Sequence, residues 1–174
     1  MRYPRPHGNC YWVQPGSLMA GEYPGERFEF ESRTRLNNLL DAGLTFFLDL
    51  TEQRSELTSY EIWLKEEALK RNLEVGYRRM EIIDADIPTD ALMQDILAQI
   101  RLSLAEGHCV YVHCWGGIGR TGTVVGCYLA EQVGSGEEAL RQMNVMWEVM
   151  EKKWRCPSTP QTQAQTEMVR RWRR

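Results

Sequence analysis

Histidine is scarce in this sequence and cysteine is unpaired. The 174 residues hold three histidines (His7, His108, His113) and five cysteines (Cys10, Cys109, Cys114, Cys127, Cys156). The cysteine count is odd, no two form a C-x-x-C pair, and the histidines do not supply the spacing of a zinc site, so no bound metal is expected. A secreted disulfide scaffold is excluded on the same ground, and a reducing cytoplasm is the expected compartment. No stretch approaches the roughly 18 uncharged apolar residues of a membrane span. The first ten residues carry Pro, Arg, His and Gly without the apolar core of a signal peptide, so no membrane partner is expected. A basic surplus is lacking too: 21 Lys and Arg stand against 24 Asp and Glu, a net charge of -3, which argues against a nucleic-acid partner. Arg170, Arg171, Arg173 and Arg174 form a basic cluster at the end, read as the positive end of a helix that complements its dipole. Internal repeats and low-complexity blocks are absent.

What remains is ample for a packed core: 43% of residues are hydrophobic and 26% charged, over a length that suits one domain. Residues 1–174 are therefore read as a single unit, with a loop and edge-strand segment over 1–25 and a closing loop and helix over 153–174. Short apolar pieces at 11–13 and 18–23 predict one or two edge strands. Leu36, Leu39 and Leu40 share a helical face over 33–42, stopped by Gly43. An apolar run at 45–50 has strand length, 57–72 reads as a helix, 75–83 as a strand and 84–88 as a loop. Thr89 is placed to cap a helix running to about residue 106. Residues 109–113 (CVYVH) are the most convincing buried strand, followed by helices over 120–132, 137–152 and 163–172. Met143, Met146, Trp147 and Met150 form a helical stripe read as core. Helix and strand alternate, so the fold class is α/β: a central, mostly parallel sheet flanked by helices, with its chemistry at the carboxyl ends of the strands.

The strand 109–113 runs into His113-Cys114-Trp115-Gly116-Gly117-Ile118-Gly119-Arg120-Thr121. Three glycines between a strand and a helix allow successive backbone N–H groups to face inward as an anion nest, to which the helix N-terminus adds partial positive charge. Cys114 sits at the mouth of that nest, where the N–H groups that hold phosphate also stabilise a thiolate. Arg120, six positions on, can grip two phosphate oxygens with its planar fork, and Thr121 offers a hydroxyl close to the sulfur. These parts fit attack by sulfur on phosphorus, with the equatorial oxygens held by the backbone of Trp115, Gly116, Gly117, Ile118 and Gly119 and by Arg120. A Walker loop is excluded because no Gly-Lys-Ser/Thr follows. Cys109 and Cys127, by contrast, read as packing residues.

The run HCWGGIGRT resembles the His-Cys-x5-Arg-Ser/Thr signature of cysteine-based protein tyrosine phosphatases. The short chain is more similar to the dual-specificity branch, and the double glycine resembles the cyclin-dependent-kinase-associated phosphatases. The resemblance covers roughly residues 45–165. It implies a metal-free, cofactor-free, two-step reaction and a mobile loop carrying an aspartic acid. In Ile82-Ile83-Asp84-Ala85-Asp86-Ile87-Pro88, Asp84 with Pro88 matches the family spacing of Asp, three residues, Pro, and it precedes Cys114 by 30 positions. Asp84 is the expected general acid and Asp86 its rival. His113 matches the signature histidine, whose implied task is to order the loop. Gln161 and Gln165 match a glutamine-bearing loop that positions the hydrolytic water. Asp49, Thr51, Glu52 and Arg54 follow a strand and are candidates for the pocket border. Trp115 and Ile118 are candidates for its rim, and Cys109 or Cys156 for trapping an oxidised Cys114.

The loop 115–119 carries no Lys or Arg, which favours a phosphorylated protein (phosphotyrosine, with phosphoserine or phosphothreonine) over a polyphosphorylated inositol ring. The other readings are an enzyme on phosphoinositides or RNA 5′-phosphates, and a non-catalytic phosphoprotein-binding module. A monomer is expected.

Overall fold

A computed structural model describes residues 3–53, 57 and 59–173; Arg54 and Arg174, singled out above, lie outside these. In chain order the elements are β1 (Cys10–Gln14), β2 (Leu18–Gly21), α1 (Glu29–Asp41), β3 (Phe46–Asp49), α2 (Glu61–Lys70), β4 (Gly76–Arg79), α3 (Asp90–Ala105), β5 (Val110–His113), α4 (Gly119–Val133), α5 (Gly136–Trp147), a 3₁₀ turn (Glu151–Trp154) and α6 (Gln163–Arg171). The five strands form one sheet in the order β1-β2-β5-β3-β4. The β1–β2 pair is antiparallel and every other pair is parallel, so the sheet is mostly parallel and flanked by helices, as the alternation of elements predicts.

Strand periodicity sorts the core into two layers. Val110 and Val112 of β5 join Leu48 and Ala20 beneath Met93, Ile96, Val124 and Met143 of the later helices. Tyr111, one step out of phase, faces the opposite layer with Phe47, Met19 and the α1 and α2 residues Leu36, Leu39 and Leu64. Both faces of the sheet are thus covered, which a parallel sheet requires. The methionine stripe is core: Met143, Trp147 and Met150 are buried, and Met146 packs against them. Parallel register brings Asp49, Arg79, His113 and Gly21 level with one another at the carboxyl ends of their strands. The site is built there.

Four expectations need correction. First, β2 is interior, paired on both sides, and β1 alone is the edge of that half. Second, α1 starts four residues before the expected 33. Its first turn carries Glu29 and Glu31, which suit a helix N-terminus, but Phe30 is exposed, so apolar periodicity gave no sign of it. Third, α2 and β4 are shorter than the apolar pattern predicts, with β4 ending at Arg79 rather than residue 83. Fourth, the helix expected over 137–152 ends at Trp147. The backbone N–H of Glu151 donates to Gly8 O (3.0 Å) and that of Lys152 to Asn9 Oδ1 (3.2 Å), so the N-terminal segment captures this stretch and folds it into the 3₁₀ turn.

The terminal arginines do more than complement a helix dipole. Arg171 makes a two-pronged ion pair with Asp90 at 2.9 and 3.1 Å, and Arg170 pairs with Glu137 and Glu167, which ties α6 to α3 and α5. Among the described residues no helix is long and apolar enough to cross a membrane.

Candidate active site

The end of β5 and the start of α4 enclose a cleft of about 210 Å³. Its walls are Cys114, Trp115, Gly116, Ile118, Gly119 and Arg120, with Asp84, Ala85 and Gln161 closing it from other segments. This is smaller than the 300–1,000 Å³ of sites for drug-sized ligands and suits a phosphate group. A larger concavity, about 430 Å³, lies against α1 and the N-terminal segment and is lined by His7, Glu26, Phe30, Glu31, Thr34, Arg35 and Asn38. Neither Cys114 nor Arg120 lines it.

Helix α4 differs from its neighbours at its N-terminus. Thr89, Ser135 and Thr162 cap α3, α5 and α6 with side-chain oxygens. At α4 the Ncap is Ile118, without a side-chain cap, and no acidic residue stands in the first turn. Its leading N–H groups and its positive dipole end are therefore available to an anion in the cleft. The Gly117 N–H donates to Cys114 Sγ at 3.3 Å, which shows the nest turned toward the sulfur.

Gly117 has a φ of +69°, in the left-handed region, and a Cβ there would come within 2.4 Å of the Gly21 carbonyl carbon. The end of β2 thus buttresses the loop backbone to backbone, reinforced by Tyr23 N–H donating to Trp115 O at 2.9 Å. Gly117→Ala is expected to destabilise the chain by about 2–4 kcal/mol, from the left-handed backbone and the overpacked contact together. That corresponds to a fall of roughly 5–15 °C in Tm, measurable by thermal unfolding followed by circular dichroism.

His113 is fully buried behind the loop. Its Nδ1 lies 3.1 Å from Cys114 O and its Nε2 lies 2.6 Å from Tyr60 Oη. A carbonyl can only accept, so Nδ1 carries the proton and the Tyr60 hydroxyl donates to Nε2. Burial pushes the His113 ring below its ordinary range, which keeps it neutral in this role. It orders the loop from beneath and does not line the cleft. Beside it Asp49, also buried, accepts from the Thr51 backbone and hydroxyl (2.8 and 2.6 Å) and from Tyr77 Oη (2.8 Å).

The two candidate acids part company. Asp84 lines the cleft, and one of its oxygens pairs with Arg120 Nη2 at 2.9 Å. Asp86 turns back on its own chain, where Oδ1 accepts from the Ile87 N–H at 2.8 Å. Ala85 between them adopts a φ of +61°, a left-handed kink that sends the two side chains different ways. Arg120 is buried, and its Nη1 donates to Ile82 O at 3.2 Å, so the guanidinium pins the acid loop to α4. The Asp84 N–H donates to Glu52 Oε2 at 3.1 Å. Of the suggested pocket border, then, Glu52 supports the acid loop from behind, and Asp49 and Thr51 belong to the buried network under His113.

The structure also separates the two glutamines. Gln161 lines the cleft. Gln165 is fully buried: its Oε1 accepts from the backbone N–H groups of Gln161 and Thr162, both at 3.1 Å, and its Nε2 donates to Asp86 O at 3.1 Å. It caps α6 and anchors the acid loop, so the expected contact with water is withdrawn from Gln165. The Thr121 hydroxyl is buried without a hydrogen-bond partner among the described residues, so the expected hydroxyl contact to the sulfur is not made. Cys109 fails as a trap for Cys114. They flank β5, five residue steps or about 16 Å apart when extended, whereas a disulfide needs Cα atoms within about 7 Å. Burial pushes the Cys109 thiol up to about 11, and it pushes Cys127 up further still, as befits packing residues.

Further residues stand behind the loop. Tyr60, Glu22 and Lys152 reach it only through folding, and no local motif announces them. Among the described residues no three His, Cys, Asp or Glu side chains converge as a metal-binding group.

A mostly parallel sheet delivering a cysteine into an uncapped helix N-terminus, with an arginine and an aspartate over it, is the arrangement of a cysteine-based phosphatase domain. The family described as PTP-SAK, the Swiss Army Knife protein, DSP-PTPase phosphatase domain, matches residues 7–173, and the chain belongs to it. It is similar to the dual specificity protein phosphatase CDC14AB of Danio rerio, at 27% identity over 125 residues. That match takes in 71% of this chain but 19% of the relative, so the chain spans about a fifth of the curated relative's length. Its fold is similar to that of the kinase associated phosphatase, with a TM-score of 0.69 at 19% identity, covering 94% of this chain and 91% of that one. It is likewise similar to PTPMT1 solved in complex with PI(5)P, with a TM-score of 0.66 at 21% identity, covering 92% and 91%.

Proposed function

We propose that this domain dephosphorylates protein side chains, phosphotyrosine and also phosphoserine or phosphothreonine, through a phosphocysteine on Cys114. The observation that carries the reading is the single cleft in which Cys114 Sγ, the uncapped start of α4, the Arg120 guanidinium and the Asp84 carboxyl meet. In the first step the Cys114 thiolate attacks phosphorus and the bond to the ester oxygen breaks. The equatorial oxygens are held by loop N–H groups and by Arg120, which the phosphate draws away from Asp84. Asp84, in its acid form, gives its proton to the departing oxygen, since an alkoxide or phenoxide leaves poorly. In the second step Asp84 takes a proton from water placed beside Gln161. The oxygen bonds to phosphorus, the sulfur–phosphorus bond breaks, and inorganic phosphate and the thiolate are restored.

A protein substrate is favoured over a phosphoinositide because the loop 115–119 carries no cation. The ammonium nearest it, that of Lys152, is turned to Glu22 and to the Gly116 carbonyl. PTPMT1, bound to PI(5)P, makes the lipid headgroup the reading to test against. Side-by-side assays on phosphotyrosine, phosphoserine and phosphothreonine peptides and on phosphoinositide vesicles decide it. Faster turnover of the peptides is expected, and preference for the vesicles would overturn the protein reading.

Asp84→Asn is expected to lower kcat/KM roughly 100-fold on a phosphoserine peptide and much less on an aryl phosphate with an activated leaving group. Asp86→Asn should leave both nearly unchanged. If the leaving-group dependence followed Asp86 instead, the acid would be misassigned.

A further inference from the structure

Lys152 lies 38 positions beyond Cys114, outside the signature and outside the wall of the cleft. It is nonetheless buried, with 9% of its side chain exposed. Its Nζ donates to Gly116 O at 2.7 Å and to Glu22 Oε2 at 2.6 Å. The second carboxylate oxygen of Glu22 accepts from Arg35 Nη1 at 2.9 Å, which holds the anion in place. The 3₁₀ turn that carries Lys152 is fastened in turn to Gly8 and Asn9.

The carbonyl that Lys152 grips and the N–H that touches the nucleophile belong to one peptide group. Gly116 C=O and Gly117 N–H are its two ends, and in a planar trans peptide they point in opposite directions. One end receives the Lys152 ammonium and the other donates to Cys114 Sγ at 3.3 Å. Gly117 has no Cβ to fix this peptide sterically, so the contacts at its two ends, with the backbone of Gly21 packed beside it, set its facing. A cation on the oxygen also withdraws electron density along the peptide and makes the N–H a stronger donor to a negative sulfur. We propose that Lys152 is a positioning residue for the phosphatase reaction: it acts through the Gly116–Gly117 peptide to aim an N–H at Cys114 and to favour its thiolate.

This inference rests on the phosphocysteine reading above. The other charged and titratable groups around Cys114 are Arg120 of α4, Asp84 of the acid loop, Tyr11 of β1, and Tyr111 and His113 of β5. None of them is hydrogen-bonded to the Gly116 carbonyl, the oxygen that Lys152 grips.

The test is the pH dependence of iodoacetamide alkylation at Cys114, read by mass spectrometry of its peptide, beside kcat/KM and Tm. In Lys152→Met the alkylation midpoint is expected to rise by about one pH unit, with kcat/KM falling about tenfold on the acidic limb and converging with the parent at high pH. The double variant Lys152→Met/Glu22→Gln removes the stranded carboxylate and serves if the single variant does not fold; the same rise is expected. An unchanged midpoint in a folded variant, whatever its Tm, would overturn the proposal, as would loss of the fold in every variant, which would make Lys152 a structural ion. An ordinary thiol midpoint at Cys114 in the parent chain would instead overturn the phosphocysteine reading itself.

Discussion

Cys114→Ser is expected to release phosphate from an aryl phosphate roughly 10⁵-fold more slowly than the parent chain, with its circular dichroism spectrum and Tm preserved. A hydroxyl is a far weaker nucleophile than the thiolate proposed at the floor of the same nest. The substitution removes no packing, because serine and cysteine have nearly the same shape and the Gly117 N–H can donate to either. Fold and binding therefore survive while chemistry stops. Substantial turnover by this variant under matched conditions would sink the nucleophile assignment.

Arg120→Met is expected to lower kcat/KM by roughly 10³–10⁵-fold. A buried guanidinium does two things at once here. Its fork is proposed to take two equatorial oxygens as charge builds on them, and it pins the acid loop through Ile82 O and Asp84. Methionine fills similar volume but supplies neither. Arg120→Lys restores the charge without the fork and should recover little of the loss. Near-parent activity in Arg120→Lys would show that charge alone suffices and that the two-pronged geometry is unimportant.

The part of the site readable in the sequence is the part encoded in one continuous segment. Strand 109–113, the glycines, Arg120 and the helix behind it occupy adjacent positions, and the strand-to-helix switch fixes their geometry locally. Asp84 was readable only with the family spacing in hand, and what separates it from Asp86 is the left-handed Ala85 kink, which no propensity announces for alanine. Gln161 and Gln165 look alike in the chain; the capping geometry of α6 divides them. Lys152 was illegible for a non-local reason. Helical periodicity runs on through residue 152, whereas the stretch beyond Trp147 is held at Glu151 and Lys152 by Gly8 and Asn9, well over 100 positions upstream. Tyr60, which holds His113 from behind, and Asp49 beside it likewise owe their place to the packing of α2 and to sheet register.

The proposed phosphocysteine is open to direct capture. In Asp84→Asn an activated aryl phosphate can still phosphorylate the sulfur, because its leaving group needs no proton, whereas hydrolysis lacks its base. Acid quenching during the first turnover, followed by peptide mass spectrometry, should find one phosphoryl group on Cys114 in an amount matching the burst of aryl alcohol. A burst with Cys114 unmodified, or with the phosphoryl group on another residue, would contradict it.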